Sequence, residues 1–146
     1  MTQSQSGQHM PEGAFLFERN MIVRWGDMDA MGHVNNIMYF RYFEHVRLHW
    51  FESLGNEPIA AGNQNGMVIV DNHAEYIVPV VYPAELRIRM GGHSPGRSSF
   101  ISTYTVCQGE TLMTRGRAKV VWIDSTVMKS VPLPDQVRAL LATAES

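Results

Sequence analysis

The chain reads as an α+β domain: one mostly antiparallel sheet of five strands packed on one long helix, with a short helix at the C-terminal end. Three observations predict this. A strand-like segment leads into a long helical pattern, and four further strand patterns follow with no helix between them, so the βαβ repeats of a doubly wound sheet are missing. Residues 84–91 and 110–124 alternate cleanly between apolar and charged side chains, the period of a half-buried strand. The last two strand runs meet at Gln108–Gly109, a two-residue hairpin signal.

Residues 1–12 are polar and almost free of aliphatic side chains, and such a stretch buries too little to order itself. It is read as a disordered tail ahead of a single domain over 13–146. Residues 15–25 form the first strand pattern, with Phe15 and Phe17 at its start and Met21, Val23 and Trp25 alternating after them. Two Gly and two Asp in GDMDAMG then make a loop. Asn35 is placed as the N-cap of a helix running from about Asn36 to Leu54, which Gly55 ends at the left-handed C′ position. Six of the 14 aromatic residues lie between Tyr39 and Phe51. At 100° per residue they share a broad arc with Val46 and Leu54, the pattern of a helix enclosed by its own protein. Arg41, His45 and Glu52 fall on the opposite side.

The remaining segments read as a meander of strands at 67–80, 84–91, 98–107 and 110–124. In the last of these Leu112, Thr114, Gly116, Ala118, Val120 and Trp122 share one face, opposite Met113, Arg115, Arg117 and Lys119. Gly116 and Ala118 are small where the aromatic helix comes close. Pro134 sits at the first turn of a terminal helix whose stripe is Val137, Leu140 and Leu141.

Composition removes several function classes. Twelve basic and 14 acidic residues give a net charge of −2, which argues against a nucleic-acid surface recognised by charge. A single cysteine among 146 residues excludes a disulfide framework and points to a reducing, cytoplasmic setting. No apolar run approaches the ~18 residues of a membrane span, and no secretory leader pattern opens the chain. Neither GxGxxG nor GxxxxGK appears.

The densest polar cluster is Asp27, Asp29, His33, Asn35 and Asn36, between a strand end and a helix start. Backbone N–H groups at a helix start can hold a developing oxyanion, and a carboxylate beside them can act as nucleophile or general base. The same residue types also serve plain turns and caps. Asp27, Asp29 and His33 are a conceivable O, O, N metal set, but no second histidine stands in that loop. Cys107, mid-strand with no histidine beside it, reads as a small apolar residue. His73 and His93 are isolated, and His45 and His49 lie on the polar side of the helix. The alternating Arg87, Arg89, Arg115, Arg117 and Lys119 read as a solvated sheet face, with a phosphate-bearing ligand as the other reading.

The stretch VRWGDMDAMGHVNNIMYFRYFEHVR, Val23 to Arg47, resembles the 4-hydroxybenzoyl-CoA thioesterase branch of the hotdog-fold superfamily. A looser likeness continues through Glu75-Tyr76, Pro79 and Trp122-Ile123-Asp124, so that it spans about residues 17–124. The resemblance implies a hotdog fold, with the helix wrapped by a curved sheet, and an acyl-CoA thioesterase. Asp29 would be the catalytic carboxylate, supported by Asp27. The N–H groups near Asn35 and Asn36 would polarise the thioester carbonyl, and His33 would position water or brace the loop. Tyr39, Phe40 and Phe43 would face the acyl group, and Arg87, Arg89 and Arg97 the coenzyme A phosphates. Glu44 and Arg47, three apart on the helix, would pair. It further implies a homodimer or homotetramer with sites between subunits, no metal, and no cofactor beyond the coenzyme A of the substrate. A non-catalytic module binding acyl thioesters or acyl-carrier protein, and an enoyl-thioester hydratase or dehydratase, are the competing readings on the same fold.

Overall fold

A computed structural model describes residues 9–55 and 64–143. The elements are β1 (Ala14–Ile22), α1 (Met38–Ser53), β2 (Asn65–Tyr76), β3 (Glu85–His93), β4 (Ser99–Gln108), β5 (Thr111–Asp124), β6 (Lys129–Ser130) and α2 (Asp135–Ala142). A single turn of 3₁₀ helix, Trp25–Asp27, follows β1. Among the described residues the strands form one antiparallel sheet in the order β1-β3-β4-β5-β2, with β6 paired to β5.

Two features of the sheet correct the expected meander. Only β3, β4 and β5 are sequential neighbours; β2 lies at the far edge beside β5, from Asn65 opposite Asp124 to Tyr76 opposite Thr114. The sheet also has a sixth strand: β6 pairs with Ile123 and Asp124, where β4 has already ended opposite Val121. The tight turn between β4 and β5 is Gly109–Glu110, with Gln108 paired to Thr111, one position later than expected. Gly109 has φ 60°, as a first central residue of a primed turn does.

β2 stops at Tyr76 rather than reaching residue 80. The N–H groups of Ile77 and Val78 both reach the Met113 carbonyl, and Pro79, without a donor, cannot continue the ladder. Of the tail expected over 1–12, residues 1–8 lie outside the described residues. Residues 9–12 are placed: Pro11 is buried, and the Thr103 hydroxyl donates to the Glu12 carbonyl at 2.6 Å.

The core sits between α1 and one face of the sheet. Phe43 stacks on Tyr104 of β4 with ring centroids 4.6 Å apart, and Trp50 meets Phe100 and Trp122 edge-on. A Cβ on Gly116 of β5 would lie 2.3 Å from the Phe43 ring. Only glycine lets helix and strand approach so closely, and that contact explains the small residue in the alternating run. Arg47 corrects the expected pair with Glu44. It is 5 % exposed and turns into the core, donating to the Tyr104 hydroxyl at 2.9 Å. That hydroxyl donates in turn to Ser102.

Candidate active site

The loop between β1 and α1 is built by hydrogen bonds rather than apolar packing. Met28 and Val34 form an isolated antiparallel bridge. Inside it the Asp29 N–H donates to the His33 carbonyl at 2.8 Å. Gly32, at φ 83°, makes the reversal that closes this small turn. The Val34 N–H donates to the Val80 carbonyl at 2.8 Å, which ties the loop to the segment following β2.

The two aspartates have separate surroundings. Asp27 is 5 % exposed. Its Oδ2 accepts the Tyr42 hydroxyl at 2.8 Å and the Arg24 N–H at 3.1 Å, while its carbonyl accepts the Asn35 N–H at 2.9 Å. Burial, and then the Asp27 carboxylate beside it, push the Tyr42 phenol far above its ordinary value. Asp29 is half-buried. Its Oδ1 accepts the Met31 N–H at 2.9 Å and the His33 N–H at 3.4 Å, and its Oδ2 has no hydrogen-bond partner among the described residues.

Asp29, His33, Asn36 and Tyr39 line one 380 Å³ pocket, whose far wall is Tyr76, Ile77 and Pro79. Asp27 lines a different cleft with Tyr42 and His45, so Asp27, Asp29 and His33 do not converge as a metal set would; no such cluster occurs among the described residues. Asn35 does not cap the helix. Its Oδ1 accepts the Ile37 N–H at 3.2 Å and its carbonyl the Met38 N–H at 2.9 Å, making one extra turn before α1 begins at Met38. The Asn35 N–H is bonded to Asp27, whereas the Asn36 N–H has no partner among the described residues.

Of the expected substrate contacts, only Tyr39 lines this pocket. Phe43 is 0 % exposed, which corrects its assignment to the acyl group: it is a core side chain stacked on Tyr104. Phe40 is half-buried and packs edge-on against Phe43. Arg87 and Arg89 are engaged with Glu18 of β1, at 3.6 and 3.0 Å. Arg97 is exposed, and its carbonyl accepts from Leu133 and Arg138. None of the three arginines lines the Asp29 pocket. Reading of single residues missed Tyr76, which entered only with the looser likeness. Its hydroxyl donates to the Asn36 carbonyl at 2.8 Å and its ring meets Tyr39 edge-on at 5.1 Å. No local pattern marks a bond between residues 40 apart.

Residues 23–141 match the model of the thioesterase-like superfamily. The chain belongs to that family. It is 30% identical over 131 residues to a 1,4-dihydroxy-2-naphthoyl-CoA hydrolase of Synechococcus sp. (strain CC9605), covering 82% of this chain and 85% of the relative. Among solved structures, the PA2801 protein of Pseudomonas aeruginosa superposes with a TM-score of 0.78 at 35% identity, over 86% of this chain and 97% of that one. A thioesterase of Thermus thermophilus complexed with coenzyme A and Zn gives a TM-score of 0.74 at 25% identity, over 90% and 96% of the two chains.

Proposed function

We propose that this member of the thioesterase-like superfamily hydrolyses an acyl-CoA thioester to the free acid and coenzyme A, in the pocket that holds Asp29. The observation that carries the reading is that Asp29 and Asn36 line one pocket and that, among the described residues, the Asp29 Oδ2 and the Asn36 N–H have no hydrogen-bond partner. A thioester is activated, so its hydrolysis needs a placed carboxylate, an oxyanion donor and water. Asp29 supplies the first, as general base toward water or as nucleophile giving a transient anhydride. The Asn36 N–H supplies the second. Attack at the carbonyl carbon breaks the C–S bond; in the nucleophilic route water then cleaves the anhydride and regenerates the Asp29 carboxylate, and in both routes the proton released by water ends on the departing thiolate. His33, at the pocket wall with no side-chain bond among the described residues, is the side chain available to orient that water. Asp27 holds the loop from behind.

The working unit in this reading is a homodimer on the hotdog plan, with α1 wrapped by the sheet, and two dimers can pair into a tetramer. β2 is an edge strand. Val70, Tyr76, Ile77, Val78 and Val81 along and beyond it are exposed, an open and apolar edge of the kind proteins cover. A second copy paired there would close the pocket wall made by Tyr76, Ile77 and Pro79. A cytoplasmic location follows from the lone cysteine; no described helix is long and apolar enough to cross a membrane.

Release of coenzyme A, followed with a thiol-reactive dye across aliphatic and aromatic acyl-CoAs, tests the reading. Turnover by the wild type that Asp29→Asn removes supports it. Binding of acyl-CoA without turnover would make the protein a binding module, and water addition to an enoyl-CoA would make it a hydratase.

A further inference from the structure

The strand order pools cationic side chains that are far apart in sequence. Cross-strand register puts Arg89, Thr105 and Arg115 in one row across β3, β4 and β5, and sets Thr103 beside Arg117 in the next. Both rows lie on the sheet face turned away from α1. β2 extends them, with Glu75 opposite Arg115 and His73 opposite Arg117. Although they face outward, Thr103 and Thr105 are 5 % and 1 % exposed. The chain ahead of β1 crosses over this part of the sheet, held by the bond from Thr103 to the Glu12 carbonyl. Its edge and the strands enclose a recess of 210 Å³, with Thr103 and Thr105 in its floor and His73, His93, Arg115 and Arg117 in its walls.

The groups around the recess are not matched to one another. Arg89 on the same face is tied to Glu18, whereas Arg115 and Arg117 have no ion-pair partner among the described residues. Of the two acids at the rim, Glu12 sits 3.9 Å from His93 Nε2. Glu75 makes no ion pair with Arg115, although the two face each other in register. The Thr105 hydroxyl is buried without a hydrogen-bond partner, an arrangement that costs free energy unless something completes it. Two arginines whose Cα atoms stand roughly 7 Å apart along one strand face, beside a buried hydroxyl without a partner, call for an acceptor bearing several oxygens and negative charge.

We propose that this recess is a phosphate-group site, separate from the Asp29 pocket. The two lie on opposite sides of β2: Glu75 stands in register with Arg115, whereas the ring of its neighbour Tyr76 packs on Tyr39 of α1. The phosphate is either a free ion or the phosphorylated end of a thioester carrier.

Titration of the full chain with inorganic phosphate at constant ionic strength, read by calorimetry and by thermal shift, tests the site. Saturable binding is expected. The double variant Arg115→Gln/Arg117→Gln should weaken it about tenfold or more, Thr105→Val about threefold, and Arg87→Gln not at all. Absence of saturable binding, or equal binding by the double variant, overturns the proposal. Should the double variant not fold, Arg117→Gln alone carries the comparison. The source of the phosphate is read from kinetics: a KM raised for an acyl-CoA but not for the matching acyl-pantetheine assigns the site to the carrier, and unchanged KM for both assigns it to the free ion. Phosphate binding by a chain that hydrolyses nothing leaves this site standing and sinks only the hydrolytic reading.

Discussion

The loop from Asp27 to Asn36 has a closed end and an open end. At the closed end Asp27 is 5 % exposed: its Oδ2 and carbonyl accept from Tyr42, Arg24 and Asn35, and its Oδ1 lies 3.8 Å from Arg24 Nε. At the open end Asp29 spends one oxygen on its own turn and keeps the other. Two identical side chains two residues apart thus have different jobs, set by what each is bonded to. The closed end supplies rigidity, and the open end can stay underbonded because the closed end holds it in place.

The largest effect expected from breaking this contrast is at the open end. Asp29→Asn should keep the turn, since an amide oxygen can accept the Met31 N–H, and lower kcat by roughly 10²–10⁴. The melting temperature should move by no more than about 2 °C; steady-state kinetics beside a melting curve checks both. Asp27→Ala should do the opposite in kind. It strands the buried Tyr42 hydroxyl and the Arg24 N–H, and should cost about 3 kcal/mol of stability, measured by urea unfolding. A smaller effect is expected where the two ends meet the edge strand. Tyr76→Phe removes the bond to the Asn36 carbonyl and should lower kcat about fivefold, the kinetic equivalent of ~1 kcal/mol, with KM little changed.

The smallest effect is a pH dependence at the closed end. His45 lines the cleft with Asp27, and its pKa is lowered by burial, then by His49 and Arg19. The unfolded chain therefore takes up this proton first as pH falls. The stability associated with the neutral imidazole is present above about pH 6.5 and lost below it. Melting curves between pH 7.5 and 5.5 should fall less steeply for His45→Gln than for the wild type.

Much of the fold was legible because its signals are local. The aromatic arc of α1, the alternation of β5 and the Pro134 start of α2 each follow from side-chain period and backbone chemistry within one segment. Gly116 also announced a close approach, which Phe43 makes. The edge position of β2 carried no such signal, since pairing with β5 is a contact between segments distant in sequence. Arg47 misled because i,i+3 spacing permits a pair with Glu44 but says nothing about the pull of a buried phenol from β4. At the site, the cluster from Asp27 to Asn36 stood out by composition. Which of its groups stay unpaired was not legible, because that depends on Tyr42, Val80 and Tyr76 arriving from elsewhere.

By itself, the sequence determined the fold class, the identity of nearly every element, and the ten-residue stretch that holds the candidate chemistry. Periodicity, turn residues and capping groups act over a few residues and can be read one segment at a time. Only the tertiary structure decided that Asp27 is buried with its second oxygen beside Arg24 while Asp29 lines an open pocket, that among the described residues Asn36 rather than Asn35 keeps an open N–H, and that arginines of β5 stand in register with the threonines of β4. The last is set by strand register, and the first two by how the loop closes on itself and on α1, where one residue's hydrogen bond is another residue's lost opportunity.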